Sequence, residues 1–253
     1  MAASVAMVSI KAQLVGLKAR LSFLLVLLVV TTLAPAHSAA TIVRAGGPVV
    51  NKDGQAFCTF NFIFRSGSTY FVGTAAHCSE NSSALSPGDR VRSGDPAAFL
   101  ATRTNIPTQP PYAPAIGTVA AVDNGIDFAL VRLDTGVTAD PSIPVWGHPS
   151  GTANRNKAAV GTPITMYGYG LGPGETAASR ARAGILVSYE NGNQTADVPA
   201  TPGDSGGPIL LQSGEAAGIV TNVGTSSHTT EMGPTIEAIL QSMTTHGYSL
   251  TLL

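Results

Sequence analysis

Charged residues are scarce in this chain. Of its 253 residues, 14 are Lys or Arg and 15 are Asp or Glu, and the net charge is −1. The basic residues form no runs, whereas phosphate binding needs clustered Lys and Arg, so we expect no nucleic-acid partner. Because 44% of the residues are hydrophobic, the low charge does not indicate disorder, which requires low hydrophobicity and high net charge.

Cysteine is nearly absent as well. Cys58 and Cys78 are the only two thiols, too few for a disulfide-dense scaffold or a four-thiolate zinc site. The sequence also contains no His, Cys or carboxylate spacing typical of a metal site. We therefore expect neither a metal nor another cofactor.

Acidic residues are missing altogether from residues 1–40. This segment has a basic start, a short apolar run at 21–30 and small residues at 34–40, which together are typical of a secretory signal peptide. The apolar run is shorter than the about 20 residues that a transmembrane helix needs, although an uncleaved anchor is the alternative. We expect a secreted, extracellular protein with no stable membrane association after cleavage. The basic residues are Lys11, Lys18 and Arg20.

The rest of the chain predicts an all-β fold, because short apolar stretches alternate with clusters of Gly, Pro, Asn and Ser. A helical pattern occurs only near the end, with apolar residues at 236, 239, 240 and 243, followed by Gly247 and a last strand. The predicted strands are 57–64, 70–74, 118–122, 128–133, 163–167, 183–189, 209–211, 216–221 and 248–252.

Three motifs contain residue types that catalyse acyl transfer. They are Thr74–Cys78 with His77, Gly125–Leu133 with Asp127, and Pro202–Pro208 with Ser205. Each alone is typical of an ordinary turn or strand end. Together they supply a hydroxyl, which is a poor nucleophile at neutral pH, and a base that could activate it.

In this order the motifs resemble those of the chymotrypsin-like serine proteases, and the resemblance covers residues 41–253. The start at Thr41–Val43 and the closing helix and strand resemble the α-lytic protease and streptogrisin branch. The resemblance implies two six-stranded antiparallel Greek-key β-barrels with a short C-terminal helix. The first barrel would span 41–140 and carry His and Asp, and the second would span 141–253 and carry Ser.

The resemblance also implies the role of each site residue. His77 would accept the Ser205 proton and pass it to the leaving amine, and Asp127 would orient His77. The backbone N–H groups of Gly203 and Ser205 would form the oxyanion hole. The alternative to Asp127 is Asp123, which is disfavoured because no apolar strand follows it directly.

Two further pairings follow from the resemblance. Cys58 would pair with Cys78 and fix the strand end that bears His77. Asp204 is similar to a family residue that stabilises the oxyanion loop through an ion pair, and its partner would be a freed N-terminus or an Arg such as Arg182.

Substrate specificity is predicted from the residues that would line the primary pocket. The resemblance implies that Pro199, six residues before Ser205, lies at its base, with Ala200, Thr221 and Val223 nearby. Since none of these is a carboxylate, we expect cleavage after small or medium apolar residues. The alternatives are a trypsin-like preference for Arg or Lys, through Asp197, and a catalytically silent binding protein of the same fold. We expect polypeptide substrates, protein inhibitors as possible partners and a monomer.

The spacing Gly203-x-Ser205-x-Gly207 also fits the nucleophile elbow of the α/β-hydrolases. An elbow needs a buried strand before the serine and a helix after it. Two prolines precede Ser205 here and no βα alternation is present, so this alternative is disfavoured.

Overall fold

The computed structural model describes most of the chain after the predicted signal peptide. Residues 1–40, to which the signal-peptide prediction refers, lie outside the described part. For residues 223 and 230–232 only the backbone is described. The described ranges are 41–52, 55–81, 83–94, 113–154, 158–170, 180–223 and 230–253.

Strands dominate the described residues, which include one short helix. The strands are β1 (Ile42–Arg44), β2 (Pro48–Val50), β3 (Ala56–Thr59), β4 (Ile63–Ser66), β5 (Thr69–Ala75), β6 (Arg90–Ser93), β7 (Ala115–Asp123), β8 (Phe128–Leu133), β9 (Thr138–Asp140), β10 (Pro163–Tyr167), β11 (Ala181–Glu190), β12 (Asn193–Asp197), β13 (Pro208–Leu211), β14 (Ala216–Ile219), β15 (Asn222–Val223), β16 (Thr230–Pro234) and β17 (Thr251–Leu252), and the helix is α1 (Ile236–Thr245).

The first sheet is antiparallel and has eight strands, in the order β17-β4-β5-β8-β7-β6-β2-β3. It encloses an aromatic core in which Phe64 packs edge-on against Phe62 and Phe128, with ring centroids 6.4 Å apart in each pair. The last strand of the chain, β17, pairs with β4 and so belongs to this sheet.

The second sheet has seven strands, in the order β14-β13-β10-β11-β12-β16-β15, and is also antiparallel. Its core is aliphatic and includes Ile164, Met166, Leu186, Val198 and Val220. A short parallel pair, β1 with β9, lies apart from both sheets. The prediction of a mostly β, two-barrel fold with one short helix near the C-terminus is confirmed, and the two sheets have eight and seven strands where six each were predicted.

The predicted strand over 57–64 is two strands, β3 and β4, separated by residues 60–62. Asn61 N–H donates to Gly73 O and Gly73 N–H donates to Phe62 O, so two residues oppose one, as in a β-bulge. The Asn61 side chain accepts from Phe62 N–H at 2.8 Å. An apolar run does not reveal such a bulge because the residues on both sides of it are equally buried.

The predicted helix forms and is capped by Thr235, whose hydroxyl accepts from Ala238 N–H at 3.2 Å. Its buried face consists of Ile236, Ile239 and Met243. The last strand is shorter than predicted and begins only at Thr251. Within the described residues, no helix is long and apolar enough to cross a membrane.

Candidate active site

The pairing of two neighbouring strands brings His77 and Asp127 together. β5 ends at Ala75 and β8 begins at Phe128, and these two residues are directly paired in the antiparallel register. His77 follows the first and Asp127 precedes the second, so both lie at the same end of the sheet. Ala76 N–H donates to Asp127 O at 3.1 Å and extends the pairing by one more bond.

Both carboxylate oxygens of Asp127 form hydrogen bonds with His77. Oδ2 lies 2.7 Å from His77 Nδ1, and Oδ1 accepts from the His77 backbone N–H at 2.9 Å. The hydrogen bond and the negative charge of Asp127 raise the pKa of His77, against the opposing effect of partial burial. Asp127 has a left-handed φ of 53°, which Asp tolerates better than most residues. The geometry leaves His77 Nε2 available for other partners.

Ser205 lies in the turn that leads into β13, and Thr59 at the end of β3 holds this turn. Thr59 N–H donates to Ser205 O at 2.8 Å, and Thr59 Oγ1 donates to Gly203 O at 2.9 Å. Gly206 makes this approach possible, because a Cβ there would lie 2.2 Å from Thr59 O, and its φ is +88°. The serine turn is therefore attached to the first sheet, which also carries His77.

Two backbone donors in the serine turn are available to a ligand. Among the described residues, neither Gly203 N–H nor Ser205 N–H has an acceptor, whereas Asp204, Gly206 and Gly207 all donate to carbonyls. Gly203 has a φ of +104°, where an L-residue would be strained. Free N–H groups on both sides of one residue can bind an oxygen that carries negative charge.

The disulfide between Cys58 and Cys78 forms as predicted and connects β3 to the residue after His77. Its sulfurs and a His77 ring nitrogen all lie within 4.8 Å of one another, and Cys78 Sγ lies 3.6 Å from Ser205 O. Since both sulfurs are bonded to each other, this cluster offers no thiolate for a metal. The disulfide thus lies between the histidine and the serine turn.

No hydrogen bond joins the side chains of Ser205 and His77 within the described part of the chain. Such contacts are often long in ligand-free enzymes and tighten with substrate. Of the residues that the sequence predicted for the chemistry, the structure places His77 and Asp127 in direct contact. Asp123 accepts from Ser242 instead.

A buried ion pair lies directly before the serine. Arg182 donates to both oxygens of Asp204 at 2.6 Å, and the two side chains are 10% and 0% exposed. Gly170 N–H and Thr201 N–H also donate to this carboxylate, at 2.9 and 2.8 Å. Of the two partners considered for Asp204, the structure therefore shows Arg182.

The residues predicted for the pocket differ in their exposure. Ala200 and Thr221 are buried, whereas Pro199 is exposed and its carbonyl accepts from Arg182 at 3.0 Å. Val223 belongs to β15, and its side chain lies outside the described part. Asp197 ends β12 and its side chain is exposed.

The role of Thr59 was missed by the sequence analysis. Its hydroxyl donates to Gly203 and accepts from Tyr169 N–H at 3.0 Å, so one buried side chain connects β3 with two segments of the second sheet region. The only available signal was its position next to Cys58. That signal is weak, because the contacts to Gly203 and Tyr169 span 144 and 110 residues.

This arrangement of a serine turn, a histidine and a mostly β fold is that of the chymotrypsin-like serine endopeptidases. A family model described as Trypsin matches residues 49–239, well over half of the chain. The chain therefore belongs to the trypsin family, and it is a serine-type endopeptidase by that membership. A search of the curated proteins finds no match.

Solved structures with this fold include bacterial proteases. Thermobifida fusca Protease A is 23% identical with a TM-score of 0.56, and the alignment covers 84% of this chain and 99% of that one. Cellulomonas bogoriensis chymotrypsin is 20% identical with a TM-score of 0.54, covering 84% and 98%. The α-lytic protease homolog N4 is 18% identical with a TM-score of 0.52, covering 81% and 98%. At these identities the likeness shows the shared fold. The α-lytic protease homolog N4 represents the branch that the sequence resembles.

Proposed function

We propose that this protein is a secreted endopeptidase that cleaves peptide bonds through an acyl-enzyme at Ser205. Ser205 Oγ attacks the carbonyl carbon of the substrate while its proton moves to His77 Nε2. The C–N bond then breaks, and His77 returns the proton to the leaving amine. Water, activated in the same way, releases the acyl group. The observation that carries this proposal is the 2.7 Å contact between His77 Nδ1 and Asp127, because it orients Nε2 as the free base.

The negative charge that develops on the substrate oxygen would be bound by Gly203 N–H and Ser205 N–H. Their lack of acceptors among the described residues supports this role. Donors that are fixed before the reaction stabilise the developing charge without reorganisation, and the loss of one costs on the order of 10²–10³-fold in rate.

The buried pair of Arg182 and Asp204 would keep the serine turn in its working shape. Five donor contacts fill the two carboxylate oxygens, two from Arg182, two from Thr201 and one from Gly170. An Asp held in this way needs no additional ammonium group. We therefore infer that the turn does not depend on a freed N-terminus.

Cleavage after small or medium apolar residues is the proposed specificity. The buried carboxylate nearest to the serine, Asp204, is neutralised by Arg182. Arg182 also donates to Pro199 O, so the positive charge of Arg182 lies beside the predicted base of the pocket. An Arg or Lys side chain of the substrate would be repelled at that place. Asp197, the carboxylate that a preference for basic residues would need, lies at the end of β12, where it is paired with Ile185.

Localisation, the division into two barrels and the binding partners belong to the same proposal. The 1–40 segment acts as a signal peptide, and the Cys58–Cys78 disulfide is consistent with an oxidising compartment. The two barrels divide near residues 140 and 141, with β17 returning to the first sheet. The partners are polypeptide substrates and protein inhibitors, and the mature protein is a monomer.

A fluorophosphonate probe tests the nucleophile directly. We expect labelling of the wild-type protein, no labelling of Ser205→Ala, and normal labelling of the control Ser150→Ala, which removes an exposed hydroxyl that donates to Ser213 O. Equal labelling of wild type and Ser205→Ala would disprove the nucleophile. A folded wild-type protein that is neither labelled nor active on peptides would instead be the catalytically silent binding protein.

Peptides that differ only in the residue before the scissile bond test the specificity. We expect Ala and Val to be preferred over Arg and Lys. A preference for Arg that Asp197→Ala abolishes would show that Asp197 faces the substrate.

A further inference from the structure

Asp123 ends β7, at the start of the turn that leads to Asp127, and it contacts the C-terminal helix. Ser242 Oγ of α1 donates to Asp123 Oδ2 at 2.5 Å, across 119 residues of sequence. The other oxygen, Oδ1, accepts from Gly125 N–H at 2.8 Å within the turn. One carboxylate thus connects the helix to the turn.

The turn is closed by the strand pairing of Asp123 with Phe128, and the contact of Asp123 with Ser242 is an additional attachment to a different element. Asn124 and Gly125 at its tip are exposed. Its far end is held by the bond from Ala76 N–H to Asp127 O. Only Asn124, Gly125 and Ile126 separate Asp123 from Asp127, so a displacement of Asp123 would be passed along the turn to the Asp127 carboxylate.

The helix is a firm anchor, because its apolar face is fully buried in the core. After the helix, Tyr248 makes a second contact with β7: its hydroxyl donates to Ala120 O at 3.2 Å, and its ring packs against Phe71 with centroids 5.6 Å apart. The end of the chain therefore contacts β7 at two places, of which the one at Asp123 is nearest to the site.

We propose that Asp123 is a positioning residue for the reaction, which holds the aspartate turn to α1 through Ser242 Oγ and thereby fixes the Asp127 carboxylate against His77. This inference rests on the proposed function of Asp127. The hydrogen bond from Ser242 lowers the pKa of Asp123, and the N–H groups of Gly125 and Ile126 act in the same direction, so the acceptor is ionised at neutral pH. An electrostatic contribution from His246, which directly follows α1, also lowers the pKa of Asp123.

Ser242→Ala removes the connection without changing any charge. We expect kcat to fall roughly tenfold with little change in KM, because small displacements of an orienting group cost rate rather than binding. We also expect the pKa of His77, measured by NMR titration and assigned with a His77→Gln variant, to fall by roughly half a unit as the hydrogen bond to Asp127 loosens.

Two variants separate positioning from a general effect on the helix. Thr244→Ala removes a hydroxyl from the same helix that donates only to Leu240 O, at 2.8 Å. Ser242→Thr keeps the hydroxyl. We expect both to match the wild type in kcat and in the pKa of His77, and we expect all three variants to remain folded in thermal melts.

An unchanged pKa of His77 in Ser242→Ala, or an equal fall in Thr244→Ala, would overturn the inference. The NMR titration needs no turnover, so it decides the positioning role even if the wild-type protein cleaves nothing. If the wild-type protein shows the expected pKa of His77 but cleaves no peptide, the proposed function is wrong and the positioning role of Asp123 still stands.

Discussion

Arg182 and Asp204 form a bidentate, largely buried ion pair, and Asp204 directly precedes Ser205 in the chain. Both hydrogen bonds are 2.6 Å long, and the Asp204 side chain is fully buried. A carboxylate in such a place must keep its cation, since a buried charge without a partner is costly. The shape of the serine turn therefore depends on a strand residue 22 positions away.

Arg182→Met should destabilise the protein severely. It leaves the Asp204 carboxylate buried and unpaired, and breaking a buried pair in this way costs about 3–5 kcal/mol. Urea unfolding measures the loss, and the rate of fluorophosphonate labelling should fall with it. The control is Arg44→Met, which breaks the half-exposed pair of Arg44 with Asp140 and should cost about 0–1 kcal/mol. Equal losses in the two variants would contradict the structural role given to Arg182.

The pH profile of kcat/KM should rise with a midpoint above 6.5. Asp127 raises the pKa of His77 above that ordinary value, and only the neutral imidazole can accept the Ser205 proton. Activity is therefore lost as the pH falls through the raised pKa. Rates on an uncharged peptide substrate between pH 5 and 9 measure the midpoint, and a flat profile would exclude His77 as the base.

Asp127→Asn should lower kcat by about 10⁴-fold, because an amide favours the wrong tautomer of the histidine. Asp123→Asn is the matched control, since it makes the same chemical change four residues away. We expect it to lose far less activity, because its contact with His77 is indirect, through the turn. A similar loss in both variants would mean that Asp127 is not the orienting carboxylate.

The sequence predicted those parts of the site in which a chemically reactive side chain lies within a short, characteristic motif. His77, Asp127 and Ser205 each lie in a motif of a few residues, and the strand pairing of Ala75 with Phe128 then places the first two together. The exact strand ends could not be predicted, because a bulge such as that at Asn61 depends on Gly73 across the sheet.

Polar contacts between residues far apart in the chain also could not be predicted from the sequence. Thr59 acts on Gly203, and Ser242 acts on Asp123, across 144 and 119 residues. A threonine in a strand and a serine in a helix are ordinary residues in those places. Only the fold shows which backbone atoms or carboxylates lie within reach of their hydroxyls.

Thr59→Val should weaken the serine turn while keeping the shape of the side chain. Thr59 is fully buried, and the change leaves Gly203 O without a donor and Tyr169 N–H without an acceptor. Each orphaned group costs about 1–3 kcal/mol. Urea unfolding and the labelling rate of Ser205 measure the effect. Thr59→Ser keeps the hydroxyl and should recover most of the labelling rate, and its failure to do so would assign the effect to packing instead.

Removal of the disulfide should both destabilise the protein and slow its reaction. Cys58 and Cys78 are 20 residues apart, and closing a loop of that length stabilises by about 3 kcal/mol in the chain-entropy model. The bond also ties β3, which holds the serine turn through Thr59, to the residue after His77. We therefore expect the double variant Cys58→Ala/Cys78→Ala to lose stability in urea and to react more slowly with the fluorophosphonate at a temperature where it is still folded.

Treatment of the wild-type protein with dithiothreitol provides the comparison. Reduction should reproduce the loss of stability, whereas the double variant should be insensitive to the reagent. If the folded double variant instead labels at the wild-type rate, the disulfide contributes to stability alone, and the bonds from Thr59 to Ser205 and Gly203 are sufficient to hold the serine turn beside His77.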